Sequence, residues 1–306
     1  MPLDPQIAAL LAAKPQTARH TLPVAELRAN LLAQLPPKSP PVASANDREV
    51  ASADGSIAVR IYQPEGKATG CLVYFHGGGF IMGSLDTHDQ ICRELCVGAR
   101  SVIVSVDYRL APEHPFPCGL NDGETVLRWV AGHAAELGII PGKIMVGGDS
   151  AGGNIATALT IRMRDGNGPY VHGQVLLYPV TDAPQPYKPS YIDNAIGYSL
   201  TRDDMLRFWR DYAGAASAAN DPEIYPLRAD SLSGLPATFV ITAEFDPLRD
   251  EGNQYAQRLI DAGVPTTLTQ YDGAIHGFIR LGADLRLAKE ALQQVCLWMI
   301  ARYAQS

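Results

Sequence analysis

The sequence of 306 residues predicts an α/β protein with a mostly parallel central sheet and helices on both faces. Beyond residue 47, short apolar runs of strand length alternate with segments whose apolar residues recur at helical spacing. This alternation is typical of βαβ units. The strand-like runs are residues 57–62, 71–75, 102–106, 144–147, 174–178, 238–242 and 267–271. The helical patterns lie near residues 87–99, 119–135, 151–164, 248–262 and 286–303.

Two segments interrupt this alternation, and we expect them to pack together as a lid over the sheet. The first 45 residues have a helical, amphipathic pattern, which ends at the proline-rich stretch 36–41. Residues 181–230 contain a helix-like piece, Asp203–Tyr212, but no clear strand. The predicted core therefore comprises residues 46–180 and 231–306, and the lid comprises residues 1–45 and 181–230.

Composition and charge exclude several classes of function. The net charge is −7 and no basic run is present, which argues against a nucleic-acid surface or an anionic-membrane anchor. The N-terminus lacks the cationic segment of a signal peptide, and no stretch approaches the ~18 apolar residues of a membrane helix. The five cysteines follow no disulfide or zinc pattern. We therefore expect a cytoplasmic protein that does not act on nucleic acid or membrane.

One serine has a glycine-rich setting that is typical of a catalytic nucleophile. The stretch Gly148-Asp149-Ser150-Ala151-Gly152 fits the pattern G-x-S-x-G. A lone match is weak, but a strand-like run precedes this one and a helical pattern follows it, as a nucleophile elbow requires. The glycines would prevent clashes at such a turn, and the start of the helix would direct free N–H groups at a reacting carbonyl.

A second glycine-rich stretch, His76-Gly77-Gly78-Gly79-Phe80, follows the apolar run Cys71–Phe75. Successive glycines at a strand end can direct backbone N–H groups at an anion, and a tetrahedral intermediate needs such donors for its oxyanion. Together with the serine elbow, this stretch predicts an oxyanion hole.

A serine hydroxyl needs a base, and in this arrangement an acid and then a histidine follow the serine along the chain. Of the seven histidines, His276 fits best because it lies just past the last predicted strand. The acid has several candidates near strand ends. Position favours Asp246, with Glu244 next and Asp250 and Asp272 also open. Asp246 precedes a proline, which is also typical of a helix N-cap.

Taken together, five motifs resemble the hormone-sensitive lipase family of microbial carboxylesterases, and they occur in the order found there. They are His76-Gly77-Gly78-Gly79-Phe80, Asp107-Tyr108-Arg109-Leu110-Ala111-Pro112-Glu113, Gly148-Asp149-Ser150-Ala151-Gly152, Asp246-Pro247-Leu248 and His276-Gly277-Phe278. The resemblance implies an α/β-hydrolase fold with a helical cap, formed by the N-terminal segment and an insertion after the sixth strand.

The same resemblance implies roles for individual residues. Ser150 would be the nucleophile, His276 the base and Asp246 the acid, which raises Asp246 well above Glu244. The oxyanion donors would be the N–H groups of Gly78, Gly79 and Ala151. Arg109 and Glu113 would brace the glycine loop, no metal or cofactor would be required, and a homodimer is plausible.

The predicted function is that of a serine carboxylesterase acting on short- to medium-chain acyl esters. An amidase or arylformamidase with the same triad is the alternative, and a non-catalytic small-ligand receptor is a further one. Four residues of the insertion are candidates for binding substrate at the entrance, or for forming the cap's own core. They are Leu206, Phe208, Trp209 and Tyr212.

Overall fold

The computed structural model describes residues 2–13, 18–35, 39–184, 187–218, 220–282 and 284–305. Within these residues eight strands form one sheet, in the order β1-β2-β4-β3-β5-β6-β7-β8. The strands are β1 (Ser44–Ser52), β2 (Gly55–Gln63), β3 (Cys71–Phe75), β4 (Val102–Val106), β5 (Ile144–Asp149), β6 (Gly173–Leu177), β7 (Thr238–Phe245) and β8 (Thr266–Ile275). All seven predicted strands are present, and the predicted α/β-hydrolase fold class is confirmed.

The central part of the sheet is parallel and buried. Strands β4, β3, β5, β6, β7 and β8 pair in parallel, whereas β2 pairs antiparallel with both β1 and β4. Every residue of β3, β4, β5 and β6 is buried, because helices cover both faces of the sheet. The carboxyl ends of the parallel strands therefore share one edge, where ligand sites form in such sheets.

Strand β1 corrects the sequence analysis, which assigned residues up to 45 to a helical segment and placed no strand before residue 57. Its sequence is polar from Asn46 to Glu49, and Val50 is its one buried residue. The strand has no apolar run because it lies at the edge of the sheet, where charged side chains also discourage pairing with another chain. With β1 included, the insertion at residues 181–230 follows the sixth strand.

The helices of the described residues divide between the sheet and the two additional segments. Those that follow strands are α3 (Asp89–Ala99), α4 (Cys118–Gly132), α5 (Ala151–Asp165), α8 (Arg249–Asp261) and α9 (Arg286–Ala304), as predicted. The N-terminal segment forms α1 (Pro5–Ala13) and α2 (Val24–Leu32), and the insertion forms α6 (Pro189–Asp193) and α7 (Arg202–Ala213). The predicted proline stop lies partly outside the described residues, which omit 36–38. No described helix is both long enough and apolar enough to cross a membrane.

The two additional segments contact each other directly. The guanidinium of Arg207 on α7 donates to the carbonyl oxygens of Arg19 and His20, each at 3.2 Å, and also to that of Leu22. The Asp204 carboxylate accepts the backbone N–H of His20 at 2.8 Å. The N-terminal segment is thereby tied to the start of α7, on the side of the sheet where the parallel strands end.

A buried carboxyl group lies where α8 meets the start of the insertion. Glu251 Oε1 accepts the backbone N–H groups of Thr181 at 2.9 Å and of Asp182 at 3.3 Å. Burial raises the pKa of Glu251 to about 8, although the Thr181 N–H group and the Lys188 ammonium act in the opposite direction. The folded protein therefore retains a proton that the unfolded chain releases at a pH near the ordinary value for glutamate.

This protonation makes stability depend on pH in a defined direction. Between about pH 5 and 8 the native state binds more protons than the unfolded state at Glu251, so the free energy of unfolding falls as pH rises. We expect wild type to lose about 3 kcal/mol more than Glu251→Gln across this window, because the amide never ionises. Urea unfolding at a series of pH values measures this difference, with the exposed Glu65→Gln as control. Parallel curves for wild type and Glu251→Gln would contradict the prediction.

Candidate active site

Ser150 occupies a sharp turn between β5 and α5. Its backbone has φ 54° and ψ −118°, a conformation that L-residues rarely adopt. The turn is fixed by hydrogen bonds from the Ser150 N–H to the Leu177 carbonyl at 2.9 Å and from the Val180 N–H to the Ser150 carbonyl at 3.1 Å. A Cβ atom at Gly152 would lie 1.9 Å from the carbonyl oxygen of Phe75, so only glycine fits there. The strand–turn–helix context predicted for this serine is present.

The side chains of Ser150, His276 and Asp246 form a continuous hydrogen-bonded chain. His276 Nε2 lies 2.9 Å from Ser150 Oγ, and His276 Nδ1 lies 2.7 Å from Asp246 Oδ2. Ser150 follows β5, Asp246 follows β7 and His276 follows β8, so the parallel sheet brings all three to one edge. Such an arrangement allows a proton to move from the hydroxyl to an imidazole that a buried carboxylate orients.

The other acidic candidates have different partners. Glu244 Oε2 accepts the backbone N–H of Gly273 at 2.7 Å, and Asp250 accepts that of Ser190 at 2.8 Å. Asp272 accepts a hydrogen bond from the side chain of Gln270 at 3.1 Å. Of the four candidates, Asp246 is the one that the structure places against His276.

The N-cap prediction for Asp246 needs a small correction. Helix α8 begins at Arg249, and Leu248 occupies its N-cap position. The Asp246 carboxylate nevertheless accepts the backbone N–H of Leu248 at 2.8 Å through Oδ1. One oxygen of Asp246 therefore fixes the turn before α8, which leaves the other oxygen directed at His276.

The glycine loop after β3 presents unpaired N–H groups beside Ser150. Gly78 has φ +129°, a conformation available to glycine but not readily to other residues. Among the described residues, the N–H groups of Gly78 and Gly79 donate to no protein acceptor. Ala151 is the first residue of α5, so its N–H also lacks a partner within the helix. The three predicted oxyanion donors thus remain available to a ligand.

The loop is held by a buried polar network that the sequence analysis missed. Asp149 Oδ1 accepts the N–H of Gly77 at 2.9 Å and the hydroxyl of Tyr74 at 2.8 Å, while His88 Nε2 lies 3.3 Å from Oδ2. Burial alone raises the pKa of Asp149, but His88 and these hydrogen bonds outweigh it and hold the pKa well below its usual range. An ionised Asp149 therefore anchors the glycine loop to the residue beside the nucleophile.

The stretch around Arg109 also braces the loop. Tyr108 donates its hydroxyl to the carbonyl of His76 at 2.8 Å. Arg109 pairs with Asp122 at 2.9 Å, and Glu113 pairs with Arg28 of α2 at 2.7 Å. Neither Arg109 nor Glu113 lines the cavity beside Ser150, which agrees with the supporting role implied for them.

A cavity of about 440 Å³ opens onto Ser150 and His276. Leucines of α1 and α2, Met82 of the glycine loop, and Met205 and Phe208 of α7 form much of its wall. The N-terminal segment was expected to lie over the sheet, but its amphipathic pattern could not identify which of its residues line the cavity, because amphipathic helices also cover ordinary cores. Within the described residues no group of His, Cys, Asp and Glu side chains could hold a metal ion.

Of the four candidate substrate-binding residues, Phe208 lines the cavity, and Leu206, Trp209 and Tyr212 do not. Trp209 and Tyr212 are 5% and 3% exposed and pack beside Phe80, whose ring stacks on that of Tyr212 at a centroid distance of 3.7 Å. Leu206 is 48% exposed. Helical geometry explains why these three residues do not line the cavity. Leu206 lies about 200° around α7 from Phe208, whereas Trp209 and Tyr212 share the inward face behind the cavity wall.

A family model described as α/β-hydrolase fold matches residues 72–280. The chain belongs to this family. The match confirms the family that the five motifs predicted.

Most of the chain is similar in sequence to proteins that are named as esterases or carboxylesterases. It is 41% identical over 299 residues to a carboxylesterase, NlhH, of Mycobacterium tuberculosis, covering 94% of this chain and 92% of that protein. It is 43% identical over 242 residues to the esterase LipI of the same organism, covering 78% of this chain and 75% of LipI. A solved esterase from Pyrobaculum calidifontis superposes with a TM-score of 0.91 at 38% identity, covering 98% of this α/β hydrolase and 99% of that chain.

Proposed function

We propose that this carboxylic ester hydrolase cleaves short- to medium-chain acyl esters, with Ser150 as nucleophile, His276 as base and Asp246 as acid. The observation that carries the proposal is the chain of hydrogen bonds from Ser150 Oγ to His276 Nε2 at 2.9 Å and from His276 Nδ1 to Asp246 Oδ2 at 2.7 Å. The named relatives, which are esterases and carboxylesterases, support it.

In the acylation half-reaction, Ser150 Oγ attacks the ester carbonyl while His276 Nε2 accepts the hydroxyl proton. The carbonyl electron pair moves onto oxygen and gives a tetrahedral oxyanion. Asp246 holds the imidazole in the tautomer that accepts at Nε2 and stabilises the imidazolium. Collapse of the intermediate breaks the bond to the alkoxy oxygen, which takes the proton from His276 and leaves as the alcohol.

In the deacylation half-reaction, a water molecule attacks the acyl-enzyme while His276 again accepts the proton. The second oxyanion collapses, the Ser150 Oγ–acyl bond breaks, and His276 returns the proton to Oγ. The products are the alcohol and a carboxylic acid. The steps consume one water and change no oxidation state.

The N–H groups of Gly78, Gly79 and Ala151 stabilise both oxyanions. Each group is free of protein acceptors among the described residues, and each belongs to backbone that is already fixed before substrate binds. Preorganised donors of this kind contribute about 2.7–4 kcal/mol each to transition-state stabilisation. Asp149 acts indirectly, since it holds Gly77 at 2.9 Å and so positions the next two residues.

Acyl-chain preference follows from the cavity. In this proposal the cap consists of the N-terminal segment before β1 and the insertion after β6, and the described residues that they contribute to the wall are mainly apolar, including Leu22, Leu27, Met205 and Phe208. A volume of about 440 Å³ lies toward the smaller end of the range for small-molecule pockets. A cavity of this size supports the proposed preference for a short or medium acyl chain.

A series of p-nitrophenyl esters from acetyl to palmitoyl tests the proposed function. We expect kcat/KM to be highest at short or medium chain length and to fall steeply for longer chains, with a Ser150→Ala sample as the blank. Folded wild-type protein that cleaves no ester of the series would contradict the esterase proposal. Parallel assays with anilides and aryl formamides, and a search for tight ligand binding, then distinguish the amidase, arylformamidase and receptor alternatives.

A further inference from the structure

Two arginines line the cavity beside Ser150, and neither forms an ion pair among the described residues. They are Arg19, between α1 and α2, and Arg280, in the short 3₁₀ helix Phe278–Leu281 that follows His276. Both arginines are half-buried, and a charge that is partly removed from water is usually accompanied by an opposite charge. Two guanidinium groups facing one cavity therefore indicate a ligand that supplies the negative charge.

Arg19 makes one hydrogen bond within the described residues, from Nη2 to Ser199 Oγ at 2.7 Å. The nearest acid is Asp204, but its oxygens accept the backbone N–H groups of His20 at 2.8 Å and of Thr201 at 3.1 Å. Asp204 also lies 3.5 Å from His20 Nδ1, and it forms no ion pair with Arg19. Burial lowers the pKa of Arg19, the Asp204 charge opposes this, and the charge of Arg280 lowers it further.

Arg280 has fewer contacts still. Its backbone N–H donates to the Gly277 carbonyl at 3.0 Å, but among the described residues its guanidinium forms no hydrogen bond or ion pair. The side chain is half-buried and reaches the cavity from the His276 side. All five N–H donors of this guanidinium are thus free for a ligand.

The rest of the described wall offers no carboxylate that pairs with either arginine. Its one carboxylate is Asp149, which Tyr74, Gly77 and His88 already engage. The remainder is mainly apolar, apart from neutral groups such as Asn30 and Gln34 of α2. Low-dielectric walls strengthen the field of the two guanidiniums inside the cavity.

We propose that Arg19 and Arg280 form a carboxylate-binding subsite, so that the preferred esters carry a carboxylate remote from the scissile bond. This inference rests on the proposed esterase function and adds a substrate class to it. Planar guanidiniums match a carboxylate in geometry and can bind it through two parallel hydrogen bonds. The apolar walls on either side accommodate the carbon skeleton between the two ends of the substrate.

The carboxylate can belong to the acyl chain or to the alcohol, and two matched substrate pairs distinguish these sources. The first pair is the mono-p-nitrophenyl ester of adipic acid and its methyl-capped counterpart, which differ in one charge on the acyl side. The second pair is meta-carboxyphenyl butyrate and its methyl ester, which differ in one charge on the alcohol side. Release of nitrophenol or of the substituted phenol gives kcat/KM for each member.

The measured quantity is the ratio of kcat/KM for the charged ester to kcat/KM for the neutral ester. For wild type we expect a ratio of about 10 in at least one pair, falling in about 0.5 M NaCl because salt screens the charges. Arg19→Gln and Arg280→Gln should each lower that ratio about five-fold, and the double variant should lower it to 1 or below. Arg19→Lys should retain most of the preference because it keeps the charge.

Arg128→Gln is the matched control, because Arg128 is an exposed residue of α4 that pairs with Glu124 outside the cavity. It removes the same net charge and should leave the ratio unchanged. Thermal melts establish that each variant folds, and Arg280→Gln carries the test alone if Arg19→Gln does not fold.

Two results would overturn the inference while leaving the esterase function intact. One is a ratio of about 1 or below for wild type in both pairs, with the neutral esters hydrolysed well. The other is a preference for the charged ester that persists in the double variant. A folded enzyme that cleaves no member of either pair would overturn the proposed function and this inference with it.

Discussion

We expect Ser150→Ala to lower kcat for p-nitrophenyl butyrate by a factor on the order of 10⁶. The variant lacks the nucleophile, so no acyl-enzyme can form and His276 has no hydroxyl to deprotonate. A residual rate above that of buffer is expected, because the oxyanion donors and the cavity remain. Steady-state assays at high enzyme concentration measure this residual rate.

Two controls distinguish the loss of the nucleophile from unfolding and from a general effect of replacing a serine. Alanine removes one oxygen atom from a turn whose backbone hydrogen bonds are unaffected, so the melting temperature should stay within a few degrees of wild type. Ser56→Ala, on the exposed part of β2, is the matched control and should retain full activity. Ser150→Ala protein with activity within ten-fold of wild type would remove Ser150 as the nucleophile.

The second large effect concerns the acid. We expect Asp246→Asn to lower kcat about 10⁴-fold with little change in KM, because an amide cannot hold His276 in the accepting tautomer or stabilise the imidazolium. Asparagine keeps the shape and can still accept the Leu248 N–H, so the turn before α8 should survive. Single-turnover rates and circular dichroism separate the loss of chemistry from a loss of folding.

Glu244→Gln and Asp250→Asn are the matched controls for this prediction. Both were candidates on position alone, and both have partners other than His276. We expect each to change kcat by less than ten-fold. A larger loss for Glu244→Gln than for Asp246→Asn would reverse the assignment of the acid.

Much of this fold could be predicted from the sequence because the central parallel strands, β3 to β6, are buried on both faces. Burial makes such strands rich in apolar residues, as in Cys71–Phe75, and the intervening helices show one apolar face. The positions of Ser150 and His276 at one edge of the sheet could also be predicted, because a parallel sheet brings the carboxyl ends of its strands together. The acid was less certain because Glu244, Asp246 and Asp250 lie near the end of one strand, and only side-chain direction separates them.

Other features could not be predicted because their sequence pattern is not distinctive. Strand β1 is stabilised by backbone hydrogen bonds at the sheet edge, which place no demand on side-chain polarity. The role of Asp149 depends on Tyr74 and His88, which are distant in sequence. Arg19 and Arg280 are separated by most of the chain, and only the packing of the N-terminal segment brings them to one cavity.

The most direct test of the central claim is covalent trapping of the nucleophile. A p-nitrophenyl alkylphosphonate resembles the tetrahedral intermediate and transfers its phosphonyl group to an activated serine, releasing one nitrophenol. We predict one adduct per chain by intact-mass spectrometry, located at Ser150 by peptide mapping, with activity lost in proportion to labelling. Labelling at another residue, or complete inactivation with Ser150 unmodified, would contradict the assignment of Ser150, His276 and Asp246 as the catalytic machinery.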